Sequence, residues 1–372
     1  MPSNEELCRT LLSRYNNLST ASIRDRPTGF VSRSGELLPS LIVTPRPPWD
    51  PKARTHIDPS TAALMRFPWK TVQAQYALDP FPIPATKFRN GYMGDRHSDY
   101  WLSGLQLHHL IKHVLLRDFS VDVASPPAFL SPFTLLDFGG STGRLARHWT
   151  LQTPSVQVIA SDTNMESVAF LCRTGMAGGL HQAFHPPLHG LPQESLSLVT
   201  ALSVWTHMTE QQALGWLVEV RRVLRPGGFA WITVMSNHTW TRLRANGEAD
   251  LLYSHIVGGA EQLVLPNGTL HQFTANELAA SEYMPYPFTV FQGKWNWPYT
   301  NGQQGETMVN TFVTYEYAKT HWGAVLDLVA IYPQSSLLPT EDWPCVTPAC
   351  PPRNVGQDVL LLRKPLMLEK DR

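Results

Sequence analysis

Helix-like and strand-like patterns of apolar positions alternate from residue 98 onward. Leu107, Leu110, Ile111 and Val114 recur at i, i+3, i+4 and i+7, which predicts a helix that opens at Ser98 with Ser98 as its cap. His108, Lys112 and Arg117 fall on its other faces. Short apolar runs around Leu135, over Val156–Ala160, over Leu196–Leu202 and over Phe229–Met235 then predict strands. Amphipathic stretches separate them. Asn164 is placed to cap a helix that reaches Thr174, with Gly175 as its stop. Thr209 and Gln212 have capping-box spacing, and Ala213, Leu214, Leu217, Val220 and Leu224 form the inward stripe of the helix that follows. That helix is expected to end at the R-P-G-G of Arg225–Gly228. Apolar strands separated by helices predict a mostly parallel sheet covered on both faces, an α/β doubly wound architecture.

The ends of the chain break this rhythm. Residues 1–90 are Pro-rich and read as an extension wrapped on the main domain, with short helices over Glu5–Tyr15 and Ser60–Tyr76. Trp49 and Trp69, beside prolines, fit docking of that extension. Residues 91–365 read as the main domain, and 237–311 as a lid or acceptor-binding insertion within it. The insertion holds a helical piece at Ala249–Val257, a capping box at Thr274 and Glu277, and an aromatic loop, Y-P-F-T-V-F-Q-G-K-W-N-W-P-Y. A helix over Tyr315–Trp322 and strands over Val325–Ile331 and Val359–Leu362 close the pattern.

Composition narrows the function classes. Lys plus Arg equals Asp plus Glu, 30 each, which argues against nucleic acid as the substrate. No secretory signal and no run of 18 apolar residues is seen, so neither membrane attachment nor export is expected, and the cytoplasm is the expected location. Of four cysteines, Cys172 reads as buried packing, and Cys345 and Cys350 as unrelated loop thiols. His108, His109 and His113 share one helix; a solvated face is the simpler reading than a metal site, and no metal is expected.

The candidate chemistry centres on T-L-L-D-F-G-G-S-T-G-R, residues 134–144. A strand ends at an acid, Asp137; then Gly139, Gly140, Ser141 and Gly143 crowd a turn before a helix. Such a turn presents main-chain N–H groups to a ligand. Asp162 ends the next apolar run, where a doubly wound fold holds a ribose. The same residues fit the G-x-S-x-G elbow of an α/β-hydrolase, with Ser141 as nucleophile and Asp250, His271 or His321 as partners. That elbow accounts for neither Asp162 nor R-P-G-G.

Four strings in order resemble the class I S-adenosylmethionine-dependent methyltransferases, of a bacterial small-molecule type. L-L-D-F-G-G-S-T-G-R resembles their first motif, usually D-x-G-x-G-x-G; V-I-A-S-D-T-N their second; S-L-S-L-V-T-A-L-S-V-W-T-H-M their fourth strand; and L-V-E-V-R-R-V-L-R-P-G-G-F-A-W-I-T-V the approach to their fifth. G-Q-D-V-L-L-L-R matches their seventh strand. R-N-G-Y-M-G-D-R-H-S-D-Y-W-L-S-G-L resembles the helix before the core in a subgroup often encoded beside glycosyltransferases. The resemblance implies a seven-stranded Rossmann-like sheet, S-adenosylmethionine as cofactor and methyl transfer to a small molecule, at oxygen. It places Asp137, Gly139, Gly140, Ser141, Gly143, Asp162, Gln182 and Ser203 around the cofactor, with Ser141 where the family has glycine. His207, at the end of the fourth strand, is the candidate base, or a helix-entry residue packed near Thr209. Tyr92, Tyr100, Trp205, Trp295 and Trp297 are candidates for the acceptor side, each also readable as packing. A catalytically silent cofactor-binding scaffold stays open, and the chain does not reveal its oligomeric state.

Overall fold

The structure is a computed structural model that describes residues 1–19, 69–89, 97–245, 262–272, 277, 280–281, 283–292, 309–333 and 357–366. The expected helix at Ala249–Val257, the cap at Thr274, Trp49, Cys345 and Cys350 lie outside the described residues. The chain divides into two units. The first holds the described residues up to Gln182 together with 189–192, and the second holds the rest.

In the first unit β1 (Thr134–Phe138), β2 (Gln157–Asp162) and β3 (Gly178–His181) pair in parallel in the order β3-β2-β1. β1 is buried along its length, as expected of a strand covered on both faces. The helices are α1 (Asn4–Ser19), α2 (Trp69–Leu78), α3 (His97–Phe119), α4 (Ala146–Gln152) and α5 (Met165–Thr174). Asn164 caps α5 by accepting from the N–H groups of Glu166 and Ser167, and Gly175 ends it at φ 67°, as predicted.

Four expectations for this unit are corrected. α3 begins at His97, so Ser98 is buried inside the first turn instead of capping it. His108 is fully buried and bonds Thr153 Oγ1 at 3.1 Å, so α3 is not solvated there. Its apolar stripe is wider than the four periodic residues implied, because Tyr100, Trp101, Leu102 and Leu105 pack against Val72, Tyr76 and Ile83. Cys172 is not simply packed: it forms a disulfide with Cys8. That bond fastens α1 to α5, where Leu11 also packs on Val168 and Ala169. Beneath α2, Arg147 and Asp79 form a fully buried ion pair at 3.3 Å. Trp101 Nε1 donates to Asp79 at 2.7 Å, and Arg147 donates to the Pro82 carbonyl at 2.6 Å.

In the second unit β4 (Leu196–Ala201) pairs in parallel with β5 (Leu224–Ser236). β11 (Asp358–Arg363) lies antiparallel on the other side of β5, and β10 (Asp327–Tyr332) antiparallel on β11. β1, β2, β4, β5, β10 and β11 are the strands that the sequence pattern predicts, whereas β3 is not among them. α6 (Glu210–Val223) carries the predicted Thr209–Gln212 capping box. It ends earlier than expected: R-P-G-G lies within β5, where the pairing with β4 shifts register between Leu196 and Leu198. After β5 comes α7 (Asn237–Ala245).

The insertion builds strands where the pattern predicted a helical piece, a capping box and an aromatic loop. β6 (Gln262–Val264) and β7 (Leu270–Gln272) form a hairpin across L-P-N-G-T. β8 (Phe288–Gln292) arises from the aromatic stretch and pairs with β6 and with β9 (Val309–Val313). β9 in turn pairs with Met235 and Ser236 at the end of β5. Met235, Trp240, Leu263, Phe291 and Phe312 make the core of this second layer. The period-2 alternation of F-T-V-F-Q was legible, but its aromatic neighbours masked it. Among the described residues no helix is long and apolar enough to cross a membrane.

Candidate functional site

In the first unit the glycine-rich turn joins β1 to α4. Gly139, Ser141 and Gly143 all have positive φ, at 70°, 48° and 82°. At Gly143 a Cβ would also lie 2.3 Å from Met176 Sδ, so both conformation and space call for glycine. Ser141 is the departure: an L-residue held in the left-handed region, as expected where the family pattern has glycine. The Gly140 N–H donates to the Ser161 carbonyl at 2.9 Å, which lays the turn over the end of β2. Asp137 is buried under it, with Oδ2 2.8 Å from where a Cβ at Gly140 would sit.

Asp162 organises the other side. One carboxylate oxygen accepts from the Ser141 N–H at 2.9 Å, and the other from the Asn164 N–H at 2.8 Å. Burial raises its pKa above the ordinary carboxylate value, and those main-chain donors offset part of the rise. Its carbonyl accepts from the Gln182 N–H at 3.1 Å, so Asp162 and Gln182 are adjacent across β2 and β3. Gln182 is buried, and among the described residues its Oε1 has no hydrogen-bond partner. A buried amide oxygen without a donor is costly unless a ligand supplies one. An adenine amino group is such a donor, and the Asp162 carboxylate retains lone pairs for a ribose hydroxyl. The donor set therefore fits S-adenosylmethionine.

α3 backs the turn. The Tyr100 hydroxyl is 3.1 Å from Thr142 Oγ1, and Arg144 donates to Ser103 Oγ at 3.3 Å. The contact is possible because Gly104 has no side chain: a Cβ there would lie 2.0 Å from the Arg144 carbonyl oxygen. Tyr100 thus meets the turn that the sequence assigned to the cofactor. Gly104 and Thr142 were missed by sequence reasoning. A lone glycine inside an otherwise helical pattern was the available signal.

In the second unit the segment after β4 is held by side chains from β5 and from Gln357, just before β11. Ser203, at φ 57°, donates its N–H to Thr233 Oγ1 at 2.7 Å and its hydroxyl to Gln357 Oε1 at 2.9 Å. Gln357 was not singled out from the sequence. His207 Nδ1 donates to the Val309 carbonyl at 3.1 Å. Burial lowers its pKa, and bonds to Val309 and Asn310 offset part of that, so the ring is neutral at neutral pH. Trp205 is 1% exposed and sits in the core of its unit, not on an open face. Tyr92, Trp295 and Trp297 lie outside the described residues.

The hydrolase reading loses its partners. Among the described residues no histidine bonds Ser141 Oγ; His271 pairs with Glu277 at 2.9 Å, and His321 stacks on Tyr317 at 4.0 Å. Asp250 lies outside the described residues.

Residues 135–228 match the model of a methyltransferase domain family. The match spans β1, the turn, Asp162, Gln182, β4, α6 and the start of β5. No curated protein matches the chain by sequence. Among solved structures, an S-adenosylmethionine-dependent methyltransferase from Clostridium acetobutylicum is similar at 12% identity, over 75% of this chain and 98% of that one, with a TM-score of 0.42. A second is the 1,6-didemethyltoxoflavin-N1-methyltransferase of Burkholderia thailandensis with bound 1,6-didemethyltoxoflavin and S-adenosylhomocysteine. It is 12% identical, covers 83% of this chain and 91% of its own, and has a TM-score of 0.40. The family match is thus laid over the glycine-rich turn and Asp162, and over residues 135–228 the chain is similar to a methyltransferase domain.

Proposed function

We propose that the enzyme transfers a methyl group from S-adenosylmethionine to a hydroxyl oxygen of a small molecule. The observation that carries the cofactor half is the buried Oε1 of Gln182 beside Asp162, which has no hydrogen-bond partner among the described residues. Gln182 is assigned to the adenine, Asp162 to the ribose, and the turn from Asp137 to Gly143 to the amino-acid end. Bound S-adenosylmethionine supplies a sulfonium-activated methyl group. The chain's own task is then to hold an acceptor in line and dry, and to remove a proton from it. A neutral imidazole does this for a hydroxyl, and His207 meets that condition. Tyr100 and Ser203 are assigned to the cofactor's surroundings, and the insertion to the acceptor. The balanced charge of the chain supports a small acceptor over a nucleic acid.

Calorimetry with S-adenosylhomocysteine tests the first half. The parent should bind, and Asp162→Ala should bind at least about tenfold more weakly, the worth of one charge-assisted hydrogen bond. No binding by the parent sinks the reading; undiminished binding by the variant sinks the ribose assignment. Transfer of a tritiated methyl to a set of phenols and amines tests the second half, and methylation of amines alone would refute oxygen.

A further inference from the structure

In the first unit a sulfur closes the edge of the sheet. β3 is its outermost strand among the described residues. α1 lies along that edge: Leu7 and Leu11 are buried, and the Asn4 side chain sits beside Gly178. The Gly179 N–H donates to Cys8 Sγ at 3.4 Å, and the Ala177 carbonyl oxygen lies 3.6 Å from the same sulfur. Those are the two outward groups that one residue of a further parallel strand would bond. Cys8 stands in for that strand, and its bond to Cys172 fastens α1 to α5. Both cysteines are only half-buried, and disulfides that border solvent are the labile ones.

We propose that Cys8–Cys172 is a reversible thiol–disulfide exchange site for a small dithiol, opened through Cys172, and that opening it unfastens α1 from the edge of the sheet. The sulfur that leaves is the one whose thiolate is better held. The Gly179 N–H aims at Cys8, whereas Cys172 lies in the last turn of α5, where the negative end of the helix disfavours a thiolate. A thiolate of the dithiol therefore attacks Cys172 Sγ. The pair of the sulfur–sulfur bond leaves on Cys8, which then takes a proton. The second thiol of the reagent loses its proton, attacks the mixed disulfide and expels Cys172, which is protonated in turn. Two electrons and two protons pass to the protein, and the dithiol becomes an intramolecular disulfide. The Cys8 thiol keeps its seat, because it still accepts from Gly179 and can now donate to the Ala177 carbonyl. The two thiols thus stay together for reclosure by a disulfide oxidant. What is lost is the tie itself: α1 is then held by noncovalent contacts and opens more often.

Thiol chemistry on the full chain tests this without any cofactor. Millimolar dithiothreitol under native conditions should reduce the pair, and oxidised glutathione should restore it. A pair that opens only in denaturant is a sealed structural bond and overturns the proposal. Reduction by glutathione, quenched early with acid and mapped by peptide mass, should leave the mixed disulfide on Cys172. Glutathione found on Cys8 overturns the route through Cys172. Hydrogen exchange then compares the oxidised and reduced chains. Protection of α1 should fall at least about tenfold on reduction, while that of β1 holds. An α1 equally protected in both states means that the bond does not fasten it. Loss of protection in β1 as well means that the whole domain has opened, and either result overturns the proposal.

Discussion

Ser141 donates its main-chain N–H to the Asp162 carboxylate over 2.9 Å. The bond joins the two most informative positions of the chain, the substituted glycine and the strand-end acid. It holds Ser141 at φ 48°, a conformation that costs an L-residue about 1–2 kcal/mol. Ser141→Gly should therefore leave stability within about 1 kcal/mol of the parent, since relief of strain is offset by the freer unfolded chain. S-adenosylhomocysteine affinity should stay within a few-fold. Ser141→Val should lose both, because a β-branched residue tolerates positive φ worst. Denaturant melts with calorimetry check this. A hydrolase would lose all activity in Ser141→Gly, so retained methyl transfer there also closes that reading.

Gly104→Ala probes the contact that sequence reasoning missed. The added methyl would lie 2.0 Å from the Arg144 carbonyl oxygen, main chain that cannot swing aside. α3 or the turn must shift, at a cost of about 1–3 kcal/mol. Because Arg144 directly follows the turn, cofactor affinity should fall with stability. Ser103→Ala removes the 3.3 Å Arg144 bond and the hydroxyl's 2.8 Å bond to the Tyr100 carbonyl within α3, and should leave both nearly unchanged. A Gly104→Ala variant that melts and binds like the parent would show that α3 does not set the turn.

The contrast between Gly143 and Gly104 shows what was legible. Gly143 is read from local pattern, because a strand, a turn and a helix follow one another within the motif. Gly104 depends on residues 40 positions away, and its reason is visible only once α3 lies on the turn. Asp162, the Asn164 cap and the Thr209–Gln212 box were legible for the same local reason. β8 was hidden because aromatic residues signal a binding loop and a strand equally well. The Cys8–Cys172 bond was hidden because its ends come from α1 and α5, 164 residues apart, and nothing in their spacing joins them.

Buried histidines on α3 and α4 make stability depend on pH. Burial holds His108 and His148 well below the ordinary histidine pKa and brings His109 to about 4. The unfolded chain takes up these protons near pH 6.5, whereas the folded chain does so only at lower pH. Folding is therefore favoured above about pH 6.5, and that share of stability is lost as pH falls from there through the folded-state values. Melting temperature measured from pH 7.5 to 5 should drop. His148→Gln, which can still donate to the Trp101 carbonyl, should show a shallower drop. A variant with the parent's slope would remove His148 from this account.

The disulfide between Cys8 and Cys172 closes a separation of 164 residues and holds α1 on α5. Such bonds contribute about 2–4 kcal/mol, largely by restricting the unfolded chain. Cys172→Ser should lower stability by that order under oxidising conditions and by nearly nothing in strong reductant, where the parent has lost the bond as well. Cofactor affinity should hold in both cases. α1 touches α5 and β3, through Leu11 on Val168 and through Asn4 beside Gly178, whereas the turn is held by Asp162 and α3. Loss of S-adenosylhomocysteine binding in the folded variant would show instead that α1 supports the turn through α5. Disulfides persist mainly in oxidising compartments, so the oxidation state of this pair in protein isolated under thiol-blocking conditions also tests the expected cytoplasmic location. A fully oxidised pair would place the enzyme elsewhere.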